Sequence, residues 1–433
     1  MKLTIILMAV VWAVPAFGQA GTAPAELKLA DAEALALKNH PQVLAAQNET
    51  AAQSQRIVEA RSAYYPSVDG EVTGSGGNVG ARVGAGFISD SRLFNRFGDG
   101  VEINQLISDF GRTSNLVSQS RLQAGAAQQN YQATRYDVLL RVNQAYYNAL
   151  RAQALVKLAE KTVSARQTQA DQISSLAQNK LRSQLEVSFA DVTVSQAKLL
   201  LIRYQNAVQA AFAELTRALG AQQASTYKLV DEPLPPSPSP DVEALVVQAL
   251  QNRPEAASLR LTREAAYKFL EAERDLKRPT ASFVGVAGYM PYIDQITLPR
   301  VIPNEYAGAA VNVQIPIFNG HLFTARQEEA RYRAIEADQR VRDLEESIAR
   351  DVRTAWSNSQ TAYQGLAVTA EFLREATSAE DLAQARFNLQ LSNIVELTQA
   401  QLNQTDAQIQ SLNAGYDYQS LYSALQYAIG ALR

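Results

Sequence analysis

One short message is written twice in this chain, and that duplication restricts its fold more than any other feature. "ALKNHP" (Ala36 to Pro41) returns as "ALQNRP" (Ala249 to Pro254), 213 positions on, and Pro66 falls on Pro279 at the same offset. "VNQAYYN" (Val142 to Asn148) returns as "VRTAWSN" (Val352 to Asn358), 210 positions on. The same step carries "LRSQLEVSFA" (Leu181 to Ala190) onto "LSNIVELTQA" (Leu391 to Ala400). Phe110-Gly111 corresponds roughly to Asn319-Gly320. Between the copies lies "DEPLPPSPSPD" (Asp231 to Asp241), whose prolines cannot continue a helix and read as an extended linker. The expected division is a signal peptide at 1–20, a first repeat at 21–230, the linker at 231–241 and a second repeat at 242–433.

Each repeat reads helix, strand, strand, helix, helix. Residues 31–62 and 242–277 carry helical periodicity and end before Pro66 and Pro279. "SVDGEVTG" (Ser67 to Gly74) and "GVEINQLIS" (Gly100 to Ser108) alternate apolar and polar residues, as "AVNVQIPIF" (Ala310 to Phe318) does in the second repeat; "SFVGVAGYM" (Ser282 to Met290) is a fainter strand. In the first, Val68, Gly70 and Val72 share one face, and Asp69, Glu71 and Thr73 the other. The stretches near 76–98 and 291–304 read as loops, and the glycines from Gly74 to Gly86 as a loop or strand tip. No Gly-Lys-Ser/Thr follows them to make a nucleotide cradle.

Two very long helices are expected next. No proline interrupts Arg112 to about Gln178, or His321 to Phe387. At 1.5 Å per residue each would span ~100 Å. The returning helices carry heptad seams: Val194, Ala197, Leu201, Tyr204, Val208, Ala211, Leu215 and Ala218, then Ala407, Ser411, Ala414, Tyr418, Leu421, Leu425 and Ala428. Helices with such seams pair as antiparallel coiled coils, and small seam residues let them lie close enough to build a wall.

The first twenty residues run from one cation through an apolar stretch to small residues, the pattern of a secretory signal. There is no cysteine, hence no disulfide, no thiol chemistry and no lipid on an N-terminal cysteine. After the signal no run approaches the ~18 apolar residues of a membrane helix, so membrane entry would be by strands. A net charge of -3 provides no basic field for nucleic acid. Only two histidines, both expected to be exposed, and no clustered acids beside a nucleophile leave no catalytic constellation, cofactor site or metal site to name. Trp356, Tyr146 and Tyr147 are expected to be packing residues.

Four one-sided strands make a sheet that cannot close by itself; several copies can close it, polar face inward around water and apolar face toward lipid. Here the ordered duplicate set, the "ALxxxP" openings and the Phe-Gly or Phe-Asn-Gly strand exits resemble the TolC family of bacterial outer-membrane efflux proteins over essentially the whole mature chain. The resemblance implies a mostly α fold with a membrane β-barrel portion. Three copies would form a 12-stranded barrel in outer-membrane lipid above a periplasmic α-helical tunnel. It implies a passive exit duct for a tripartite efflux pump or type I secretion, multidrug or small-molecule efflux being favoured. An inner-membrane transporter would energise it through a periplasmic adaptor. The competing readings are a coiled-coil spacer, which needs no strands, and a hydrolase, which needs a pair of reacting groups.

By the same resemblance the repeated phrase lies at the periplasmic tip. Glu396, Gln399 and Glu186 would stand at the constriction, Glu396 as a ring of three carboxylates favouring cations. Lys180, Leu181 and Ser183, with Gln390, Leu391, Ser392 and Asn393, would form the adaptor-docking tips. The residues also support a second use, because Ser183-x-x-Glu186 and Asn393-x-x-Glu396 are both a helix capping box or close to one. The family places glycine where Lys180 and Gln390 stand; a left-handed turn there costs about 1 kcal/mol without it, which predicts a turn built differently. Ser392 replaces the arginine that some members use to lock the tip.

Overall fold

The computed structural model describes residues 26–75, 82–85, 88–92, 96–221, 227–290 and 304–432. The first repeat contains β1 (Glu26–Leu27), α1 (Leu29–Asn39), α2 (Pro41–Ser62), β2 (Ser67–Ser75), β3 (Arg82–Ala85), β4 (Ile88–Arg92), β5 (Arg96–Ser108), α3 (Arg112–Gln178) and α4 (Gln184–Ala218). After β6 (Lys228–Leu229) come α5 (Val242–Asn252), α6 (Pro254–Asp275), β7 (Thr280–Tyr289), β8 (Glu305–Gln314), α7 (Leu322–Asn388) and α8 (Ile394–Ala428). The matched long helices have 67 residues each and the returning ones 35 each.

The helical stretch that opens each repeat is two helices, which meet at the residue before Pro41 and Pro254. His40 (φ -68, ψ 124) and Arg253 (φ -70, ψ 123) are extended. Each precedes a proline, whose ring excludes the α region from the residue before it. His40 is buried, contrary to expectation, and its Nδ1 accepts from the Gln42 N–H at 3.2 Å. The neighbour that buries it is Gly220, at φ +67 just past α4, where a Cβ would lie 2.7 Å from the His40 Cα. Gly430, at φ +69 past α8, meets the Asn252–Arg253 backbone in the same way. A glycine closing each returning helix thus lets its end touch the break in each opening helix.

Four strands form one antiparallel sheet in the order β2-β5-β7-β8. The faint strand is β7, an inner member paired on both sides. The strand expected at 310–318 lies earlier, ending at Gln314, because Pro316 has no N–H to give a ladder. Within the expected loop near 76–98, β3 and β4 pair antiparallel and β5 already begins; its other residues, and 291–303, lie outside the described ones.

Register assigns the faces. Val68 lies opposite Ile103, Gly70 opposite Val101, Phe283 opposite Val311 and Ala281 opposite Val313. Asp69 lies opposite Glu102, Ser282 opposite Asn312 and Thr280 opposite Gln314 on the other face. Val68, Val72, Val101, Ile103, Val311 and Val313 are all exposed, with no helix packed over them among the described residues.

The long helices stand side by side in the order α4, α3, α8, α7, with α2 and α6 packed on α3, and α6 also on α7. None of the fifteen seam residues is exposed. Two matching cores stabilise the repeats: Ala36, Val142 and Leu215 in the first, Ala249, Val352 and Leu425 in the second, each pair at the repeat offset. Tyr146 and Tyr147 are buried as expected. The Tyr146 hydroxyl lies 2.8 Å from the Leu27 carbonyl and 2.7 Å from that of Val230, and accepts from the Val230 N–H at 3.1 Å. It thereby pins the parallel β1–β6 pair to α3. The Trp356 indole N–H donates to the Ser239 carbonyl at 2.7 Å, fastening the proline-rich segment onto α7.

Candidate functional site

Both long hairpins reverse at the end remote from the sheet, and a third core joins the reversals. Ala170, Ile173, Ala190 and Val194 of the first pack with Ala383, Phe387, Ile394 and Leu397 of the second. The two tips are therefore one packed object.

The turns are left-handed after all. Lys180 has φ +62 and Gln390 φ +60, without glycine. The Lys180 N–H donates to the Ala177 carbonyl and the Leu181 N–H to Leu176, both at 2.9 Å; Leu391 N–H likewise reaches Arg386 at 2.8 Å. These bonds satisfy the orphan carbonyls that end a helix, and they offset the steric cost of the non-glycine residue. The expectation of a different turn weighed that cost without the bonds it makes possible. Leu181 and Leu391 are left exposed at the apex, as are Lys180, Gln390, Ser183 and Asn393.

The two glutamates part company. Ser183 and Glu186 make a full capping box: the Glu186 N–H donates to the Ser183 Oγ at 3.3 Å, and the carboxylate accepts from the Ser183 N–H at 2.7 Å. Arg182 adds an ion pair to Glu186 at 3.0 Å, its side chain 11% exposed and that of Glu186 17%. Partial burial pushes the Glu186 carboxyl up, but the Ser183 hydrogen bonds and Arg182 outweigh it and hold the group below the usual carboxylate range. In the second tip only half the box forms. Asn393 Oδ1 accepts from the Glu396 N–H at 2.9 Å, while the Glu396 carboxylate turns away to Arg386 Nε at 3.3 Å and stays 44% exposed. Gln399 is exposed one turn on, its amide donating to Asn403 Oδ1 at 2.9 Å.

Arg182 also crosses between the tips, donating to the Phe387 carbonyl at 2.8 Å and lying 4.1 Å over that ring. Ser392, at the matching position of the second repeat, has a buried Oγ with no hydrogen bond among the described residues. The sequence reading named neither Arg182 nor Arg386. The available signal for Arg182 was its place four residues before Glu186; its reach to Phe387 is tertiary and had none.

A wall of four antiparallel helices bearing a one-sided four-stranded sheet is the fold of bacterial outer-membrane channels: the crystal structures of CusC, described in terms of transmembrane channel formation, superpose with a TM-score of 0.80 at 18% identity over 96% of this chain and 95% of that one. Residues 34–221 and 245–431 each match the outer membrane efflux protein family, and the chain belongs to it. The outer membrane protein TolC of Vibrio cholerae is 24% identical over 408 residues, covering 92% of this chain and 89% of that protein. The alkaline protease secretion protein AprF of Pseudomonas aeruginosa is 25% identical over 427 residues, 94% of this chain and 85% of its own length.

Proposed function

We propose that three copies of this chain form a passive exit channel through the outer membrane, continued by a helical tunnel into the periplasm. One observation carries the reading: the sheet and the wall are both open at both ends. Among the described residues β2 and β8 each pair on one side only, and strands of 9 to 13 residues have the length a membrane-spanning strand needs. The bare apolar face suits lipid, and the face with Asp69, Glu71, Glu102, Asn104 and Asn312 suits a water-filled lumen. At one end of the wall α4 exposes Leu185, Val192, Leu199 and Ile202; at the other α7 exposes Val368, Phe372, Leu382 and Leu389. Heptad spacing puts each set on one stripe, so the next copy covers with one stripe what the last left bare with the other.

In such a ring the tips converge on the axis. Glu396, turned out of its capping box, supplies a ring of carboxylates that draws cations into the constriction, with Gln399 beside it. Glu186 is held by its box and by Arg182 and serves the turn. Leu181 and Leu391, with Lys180, Ser183, Gln390, Ser392 and Asn393, form the surface on which a periplasmic adaptor docks, and an inner-membrane transporter supplies the energy. Small-molecule efflux is the favoured cargo class. The test is single-channel recording of the purified protein in a planar bilayer, with native mass spectrometry of the same sample. Cation-selective openings from a three-chain particle support the proposal; no insertion by a folded oligomer overturns it.

A further inference from the structure

We propose that the groove between α3, α4 and α8 is a binding site for a small carboxylate, held by Arg166 and Arg203. The groove has a volume of about 280 Å³ and is lined by twelve residues, not one of them Asp or Glu. Arg166 lines it from α3, ~18 Å along the helix from the tip. Only 9% of this residue is exposed, yet among the described residues it has no ion pair. Its hydrogen bonds use Nη2 alone, to the Gln401 carbonyl at 3.1 Å and Thr405 Oγ1 at 3.3 Å. Nε and Nη1 have no protein partner among the described residues; they lie on opposite sides of the guanidinium, so each is free to give a single charged hydrogen bond to an acceptor oxygen in the groove. Burial pulls the guanidinium below the ordinary arginine range, and the charge of Glu380 only partly offsets it. A desolvated arginine stays charged, so the wall carries a cation that Glu380, beyond ion-pair distance, only partly compensates.

The remaining lining favours the same ligand. Thr162, Thr193 and Thr405 donate their hydroxyl protons to the Leu158, Ala190 and Gln401 carbonyls of their own helices. The groups left to donate into the groove are Arg166, the exposed Arg203, Gln196 and Thr398, none of the last three having a hydrogen-bond partner among the described residues. A site rich in donors and empty of anions takes a group that only accepts, and an ionised carboxylate is that group. The volume suits an anion of a few carbons.

The experiment titrates trifluoroacetate into the detergent-solubilised full-length protein at constant ionic strength and follows its ¹⁹F line width. Broadening should saturate and be reversed by succinate. Arg166→Gln should raise Kd at least tenfold, and Arg203→Gln, one turn from Leu199 at the edge of the stripe the next copy covers, severalfold, with native mass spectrometry showing that the three-chain particle persists. Broadening that never saturates, or an unchanged Kd in either folded variant, overturns the site. The readout is binding to the folded wall and does not depend on whether the protein conducts.

Discussion

The guanidinium of Arg182 sits over the ring of Phe387 and donates to the carbonyl of the same residue, so the first hairpin tip caps the helix that ends in the second. A charged donor to a mostly buried carbonyl contributes roughly 1.5–3 kcal/mol, and here it joins two tips that also share an apolar core and the hydrogen bonds of Gln169 with Gln384 and Gln401. In Arg182→Met the stem still packs, but the carbonyl loses its charged donor and keeps only the Gln390 N–H, at 3.1 Å. Amide exchange at Gln390 and Leu391 should quicken about tenfold, the factor that corresponds to ~1.4 kcal/mol, with distant helices unchanged. Unchanged exchange at the second tip would mean that the contact joins the hairpins in geometry only.

The same cluster has a pH dependence with a definite sign. Glu186 is held below the ordinary carboxylate range in the fold, so its contribution is fully present above the unfolded value, about 4.3. It is lost as pH falls through the lower folded value. Tip exchange, corrected for intrinsic rates, should rise below about pH 4 in the native protein. In Glu186→Gln the profile should be flat, since that amide accepts from Ser183 at every pH.

The architecture was legible because its signals are periodic and doubled. Pro41 recurs as Pro254 at an offset of 213 and the seam of α4 as that of α8 at 210, and a pattern repeated at a steady offset announces a shared local structure. What stayed hidden depends on contacts between distant segments. His40 looked exposed because its neighbour is Gly220, 180 positions away. Glu396 and Glu186 follow near-identical caps and diverge because Arg182 supports one while Arg386 draws off the other. The left-handed turns at Lys180 and Gln390 were misjudged on a residue preference that hydrogen bonds outweigh.

Those turns still hold strain that glycine would release. A side chain in the left-handed region costs about 1–2 kcal/mol, part of which glycine returns through greater freedom in the unfolded chain. Lys180→Gly should slow amide exchange at Leu181 severalfold and leave the capping box intact. The corresponding Gln390→Gly should act on Leu391 alone. Faster exchange in either variant would show that the native side chain makes a contact worth more than the strain.

Tyr146 is the fastening at the other end of the wall. Burial pushes its phenol up to about 12, so it stays protonated across the physiological range. Tyr146→Phe removes the hydroxyl from between Leu27 and Val230 and leaves buried backbone groups short of a partner, a loss of roughly 1–3 kcal/mol. Limited proteolysis should then cut near Leu27 or Val230 at protease levels the native protein withstands, while the long helices remain intact. Equal resistance would assign the β1–β6 pair its stability from other contacts.

Glu396 separates capping from conduction. Its side-chain contact with Arg386 is an exposed pair, worth about 0–1 kcal/mol, and its capping role is carried by its backbone N–H on Asn393. Glu396→Gln keeps that N–H and the side chain's shape, so stability and tip exchange should stay within a factor of about two. The charge alone is lost. In a three-fold ring that removes three carboxylates from the narrowest part of the proposed pore, and the reversal potential in a salt gradient should move toward zero. A shifted reversal potential with unchanged tip exchange puts Glu396 at the constriction. An unchanged potential puts it on the outer wall, and the selectivity of the channel must then come from another ring, for which Asp69, Glu71 and Glu102 on the polar face of the sheet are the next carboxylates to neutralise.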